Sequence, residues 1–182
     1  MTRTSPQDPD LASLIAAERS ALLTEADLKI LGRLPVELNL DDAALFAAQA
    51  VCKAAGADIG FLSHTTFGDG LPAASITAFD LASFVRFDGG FTSATIDGAT
   101  LADTILPMTN QFGDFPYAGR TGDFLYSTAR NVDRDRTYKV VVNSFATRST
   151  ASLNAYFGRA DFDFAPVPGL QLKSTIAAAL AA

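Results

Sequence analysis

The sequence predicts a mixed domain, α/β or α+β in class, and three observations carry that expectation. YKVVVNSF (138–145) is the strongest strand signal in the chain, a β-branched run of strand length. NLDDAALFAAQAVCKAAG (39–56) reads as a helix over about 41–54, with Asn39 or Asp41 as its cap, Asp42 in its first turn and Gly56 at its end. ADIGFLS (57–63) follows at once as a short buried strand, and helix, glycine, strand is a common α/β step.

The other elements fall around these. Residues 1–8 are polar and read as a flexible N-terminus, and 9–182 read as one domain. DPDLASLIAAERSALLTEADLKIL begins a helix at Pro9, with Asp8 as N-cap, and the reading takes this connector-like helix to residue 30. SITAFDLASFV (75–85) reads as a turn into a short helix, with Thr77 as cap and Asp80 at the third position. FTSATIDG alternates as a strand does, and GATLADTIL is a helix that stops near Pro107. Residues 108–123 are irregular, rich in Gly, Pro and aromatics. FLYSTA and TYKVVVNSF are strands joined by the charged link RNVDRDR, and this pair reads as a hairpin. LKSTIAAALAA closes the chain as a short helix.

Composition narrows the function. Apolar residues make up 48% of 182, enough for a substantial core, and the charged share of 19% argues against disorder. The net charge is −6 and the basic residues are scattered, which excludes phosphate neutralisation of the kind nucleic-acid binding needs. Cys52 is the single cysteine, so no intrachain disulfide forms, and it reads as a buried small hydrophobe. No run approaches the ~20 apolar residues of a membrane span, and no signal peptide is visible. The compartment stays open.

Three constellations could carry chemistry. Ser63 and His64 are adjacent, but neighbouring strand side chains point to opposite faces, and there is no G-x-S-x-G elbow. The expectation is a histidine that bonds locally. Asp133 with Asp135, and Asp161 with Asp163 on one strand face, are close pairs that do not match a calcium loop, and they read as solvated or turn charges. FGDG and FDGG signal turns, since neither is a phosphate-cradling motif.

The order of the pieces says more than any single motif. GADIGFLSHTTFGDGLPAASITAFDLASFVRFDGGFTSATIDGATLADTI (56–105) resembles the C-terminal, substrate-binding domain of the 5'-nucleotidase family. A family strand of the type ADIAF, an Asn-Ser-Gly-Gly-Ile-Arg loop, an LPAG-IT segment, PFGN and a further strand match it in order. RTYKVVVNSFATRSTASLNAYF is similar to the later family segment around TNSF, and 9–30 is similar to the connector helix. The resemblance covers about residues 9–165. It implies a layered α/β/β/α domain that binds a nucleoside or another flat molecule between two phenylalanines. Hydrolysis in that family occurs at two divalent metals in a separate N-terminal metallophosphatase domain. Members are mostly exported, which tilts the expectation towards the periplasm or the exterior.

Carried over by position, Phe87 in RFDG takes the place of the first stacking ring and Phe145 in NSFATRSTA that of the second. Gly119 in YAGRTG matches the glycine of a Ser-Gly-Leu-Arg turn. The other reading of Phe87 and Phe145 is ordinary core, in a chain with 14 Phe and no Trp. The chain also departs from the pattern. Thr65 and Thr66 replace two glycines, Gly68 an arginine that holds substrate, and Gly89 the base-contacting asparagine. Ser149, Thr150 and Ala151 replace Gly-Gly-Asp. A charge-assisted bond contributes about 1.5–3 kcal/mol, so several losses weaken nucleoside binding severely. With one histidine, this chain supplies no two-metal centre and is expected to need no cofactor. The functional expectation is a ligand-binding or accessory module without autonomous hydrolysis. The alternatives are the substrate-binding half of a nucleotidase or phosphoesterase, and a structural or protein-interaction domain.

Overall fold

The structure, a computed structural model, describes residues 8–109 and 124–182. Its first element is α1 (Pro9–Leu22). Asp8 caps it as expected, its Oδ1 accepting from the N–H groups of Asp10 at 2.9 Å and Leu11 at 3.4 Å. The helix ends well short of residue 30. Asp27 Oδ2 accepts from both the N–H and the hydroxyl of Thr24, and Thr24 Oγ1 accepts from Asp27 N–H, a reciprocal turn that diverts the chain. Beyond it Ile30–Leu34 forms β1, antiparallel to β3 (Ala74–Thr77). Neither strand was legible locally, because each exists only by pairing with a partner some forty residues away in the sequence.

Between them, α2 (Leu40–Ala55) is capped by Asn39, whose side chain accepts from Asp42 N–H, and ends on Gly56 in the left-handed region at φ 56°. Its Ala43, Ala44, Ala47, Ala48 and Val51 are fully buried, so a helix of small side chains lies close to the sheet. β2 (Ile59–Ser63) is buried at every position. α3 (Ala78–Phe84) opens with the expected reciprocal cap, Thr77 and Asp80 each satisfying the other's backbone N–H.

The main sheet has the order β5-β2-β6-β4-β7. Its further strands are β4 (Gly90–Asp97), β5 (Leu125–Ser127), β6 (Thr137–Asn143) and β7 (Ala165–Gln171). β2 and β6 run parallel, and the other neighbours are antiparallel. The two-residue period sorts the core. Leu62, Tyr126 and Val141 face one cluster with α2, α3 and α6 (Leu172–Leu180), which also holds Ile76 of the small ribbon. Phe61, Leu125, Val140 and Val142 face the other cluster with Leu101, Ile105 and α5 (Thr150–Phe157). The expected mixed, layered domain is the one that forms.

The expected hairpin between FLYSTA and TYKVVVNSF does not form. β2 lies between β5 and β6, because it offers a fully buried strand with two free edges, while the charged link spans the gap. The helix after β4 is present but changes pitch. It opens as α4 (Gly98–Thr100), is π-helical over Leu101–Ile105 and tightens to a 3-10 turn over Leu106–Met108. Pro107 has no N–H to donate and crowds the preceding turn, which disrupts the regular ladder. Asp161 and Asp163 do not share a strand face, since 161–164 are irregular. Asp161 instead pairs with Arg159. Cys52 is half-buried, with its sulfur 3.9 Å from Thr128 Oγ1, and burial pushes its thiol pKa up.

Candidate functional site

The parallel strands β2 and β6 end side by side, and the crevice beyond such carboxyl ends is where α/β sheets hold ligands. Asn143 Oδ1 accepts from Ser63 N–H at 3.2 Å and ties the two ends together. Each strand then enters a 3-10 turn, His64–Thr66 after β2 and Ser144–Thr147 after β6. β4 is antiparallel to β6 and therefore starts at the same end, so the 85–89 loop that precedes it arrives there too.

Backbone bonds fix this loop. The N–H groups of Arg86 and Phe87 donate to Thr66 O, at 2.9 Å and 3.5 Å. Asp88 Oδ1 accepts from the N–H of Gly89 and of Lys173, each at 3.0 Å, which joins the loop to the start of α6. Leu172 N–H donates to Gly89 O. Gly68 allows one of the close approaches. A Cβ there would lie 2.6 Å from Arg86 Nε and from Ser83 O, so the glycine is fixed by what packs over it.

These elements enclose a cleft of about 700 Å³, within the range of roughly 300–1,000 Å³ for small-molecule sites. Phe87 and Phe145 both border it. They are 66% and 44% exposed, so neither ring belongs to the core. Phe87 has no ring partner among the described residues. Phe145 is backed edge-on by Tyr156 of α5, with centroids 6.3 Å apart. The guanidinium carbon of Arg148 lies 4.1 Å from the Phe145 centroid, over the ring. Gly119 lies outside the described residues.

Ser63 and His64 do not read as a nucleophile with its base. Ser63 is buried, with its hydroxyl 3.2 Å from Thr65 Oγ1. His64 stacks on Phe124, centroids 4.4 Å apart and planes 30° apart, and leans towards Tyr126. Among the described residues no group of three or more His, Cys, Asp or Glu side chains is placed to hold a metal ion. No helix among them is long and apolar enough to cross a membrane.

Among the cleft residues that the sequence did not mark as candidates are Asp88, Asn143 and Arg148. For Arg148 a signal existed. Positions i and i+3 eclipse in a 3-10 turn, so an arginine three residues after an exposed phenylalanine lies over its ring. Asn143 and Asp88 gave no such signal, because the partners that fix them, Ser63 for Asn143 and Lys173 for Asp88, lie 80 and 85 residues away in the chain.

The fold matches known structures over nearly its whole length. The 5'-nucleotidase precursor of Thermus thermophilus superposes with a TM-score of 0.63 at 13% identity, over 97% of this chain and 41% of that one. The NAD nucleotidase of Haemophilus influenzae gives 0.62 at 12% identity, over 96% and 39%. The 5'-nucleotidase of Candida albicans gives 0.57 at 12% identity, over 96% and 43%. The chain thus spans about two fifths of the length of the structures it matches. No curated protein matches the sequence. The family profile described as 5'-nucleotidase, C-terminal domain, matches residues 37–155, which takes in α2, the parallel strand pair and both turns that line the cleft. The chain belongs to the 5'-nucleotidase C-terminal domain family.

Proposed function

We propose that this chain is a ligand-binding or accessory module whose cleft holds a flat, nucleoside-like molecule against Phe87 and Phe145, and that it performs no phosphate-ester hydrolysis by itself. One observation carries the reading: two exposed rings, from separate loops, border a single cleft at the ends of the parallel strands. Apolar surface gains about 25 cal/mol per Å² when it leaves water, so a planar ligand that covers both rings has a driving force without any further contact. The family resemblance places polar contacts to a nucleoside at positions 65, 66, 68 and 89, and Thr65, Thr66, Gly68 and Gly89 do not reproduce them. Affinity for a neutral nucleoside is therefore weak, with Kd about 1 mM.

The test is calorimetry with adenosine, together with an assay of phosphate release from AMP in added manganese or zinc. Weak binding that Phe87→Ala and Phe145→Ala each reduce is expected, with no release of phosphate. Turnover abolished by a chelator would overturn the non-hydrolytic reading. A tight complex indifferent to both substitutions would overturn the stacking.

A second reading has its own support in the two-fifths share of the matched structures that this chain spans. It would be the substrate-binding half of a nucleotidase or phosphoesterase whose two-metal domain is supplied by another polypeptide or another stretch of the same one. A metallophosphatase sequence upstream in the same reading frame would favour this version.

A further inference from the structure

The cleft carries a cation that its stacking role does not use. Arg148 borders it, exposed, with its guanidinium over the Phe145 ring. It makes no ion pair with a carboxylate among the described residues. The other charged cleft residue, Asp88, is engaged elsewhere, one oxygen accepting from Gly89 N–H in its own loop and from Lys173 N–H at the start of α6. A second donor lies at the strand ends. Asn143 is nine-tenths buried and its Oδ1 is taken by Ser63 N–H, which leaves its Nδ2 N–H pair with no partner among the described residues. Buried donors are rarely left unpaired, so this amide, which lines the cleft, calls for an acceptor there.

Resting on the reading of Phe87 and Phe145 as ligand-facing walls, we propose that the cleft selects a planar aromatic molecule bearing a carboxylate on the ring itself, with Arg148 as the residue that reads the acid. The ring contact carries this choice. A guanidinium 4.1 Å over the Phe145 centroid lies one stacking distance from that ring, so a planar ligand offset on the same face would lie beside it, with an acidic group on the ligand's edge turned towards the fork. A charge at the end of a sugar arm would project past it. The planar fork of arginine also matches a carboxylate with two parallel bonds, which an ammonium does not do. The cation–π contact holds the fork in place before the ligand arrives, and that reduces the ordering needed on binding.

The test compares nicotinate with nicotinamide, two probes of one shape that differ by one charge, followed by NMR titration of the whole chain. The expected result is about tenfold tighter binding of nicotinate, declining with added salt. Arg148→Gln should bring the two probes to similar affinity, and Arg148→Lys should recover part of the preference. Arg148 is exposed, and an unchanged unfolding temperature would verify that the variants keep the fold.

Equal affinities in the wild-type chain, with both probes weakened by Phe87→Ala, would overturn the reading of Arg148 and leave the stacking walls standing. A preference for nicotinate that persists in Arg148→Gln would also overturn it. So would a preference for AMP over adenosine as large as that for nicotinate over nicotinamide, since the cation would then be reading a charge on the arm. Binding of neither probe would remove this inference, while the adenosine titration decides the stacking reading separately.

Discussion

Phe84 and Phe87 lie three residues apart and should respond oppositely to truncation. Phe84 is fully buried, and its ring is stacked on Phe67 with centroids 4.7 Å apart and planes within 14°. Removing such a ring from a packed core costs about 3–5 kcal/mol. For a chain of this size each kcal/mol moves the unfolding midpoint by roughly 2–4 °C, so Phe84→Ala should lower Tm by about 6–20 °C. Phe87 is 66% exposed and has no ring partner among the described residues, so Phe87→Ala should change stability by less than about 0.5 kcal/mol, or about 2 °C. Its cost appears in binding. Stacking on an aromatic ring is worth about 1–3 kcal/mol per base, which means adenosine bound about 5- to 150-fold more weakly. Thermal unfolding by circular dichroism and an NMR titration with adenosine read the two quantities. A loss of several degrees in Phe87→Ala, or an unchanged Kd, would refute the assignment of this ring to the ligand.

Gly98→Ala should be severely destabilising, by more than about 2 kcal/mol in denaturant titration, because a Cβ there would lie 1.9 Å from Asp133 O, where only backbone can move. Ala74 sits at φ 68°, so Ala74→Gly should stabilise the chain by about 0.5–1 kcal/mol by the same measure. Tyr126→Phe removes a 2.7 Å hydroxyl bond to Asp41 from a fully buried ring and should cost about 1.5–3 kcal/mol. Hydrogen bonds hold the carboxyls of Asp27, Asp97, Asp103 and Asp161 below the usual range, from Thr24, Thr100, Arg134 and Arg159 respectively. A folded pKa below the unfolded one contributes stability above the unfolded value and loses it as pH falls, so Tm should drop on acidification below about pH 4. The Cys52 thiol has the opposite sign: burial raises its folded pKa, so its contribution is present at neutral pH and fades as the solution becomes alkaline.

Sequence alone determined the features that arise from near neighbours. Asp8, Asn39 and the Thr77–Asp80 pair were legible as caps because a cap is a bond across two or three residues. β2, β4 and β6 were legible because their own side chains alternate or run apolar. Short α5 and proline-bearing β7 were not, having little local signal. β7 tolerates Pro166 and Pro168 as an edge strand, paired on one side only with β4. The family resemblance placed Phe87 and Phe145 as candidates through motif order, and their exposure and common cleft came from the fold.

Only the tertiary structure could decide that β2 separates β5 from β6, that the β1–β3 ribbon exists, and that Arg148, Asn143 and Asp88 meet at one cleft. Strand order and cleft membership depend on pairings across many tens of residues. Their free energy comes from partners that no local window contains, whereas a helix cap or an apolar period is set within one or two turns of chain.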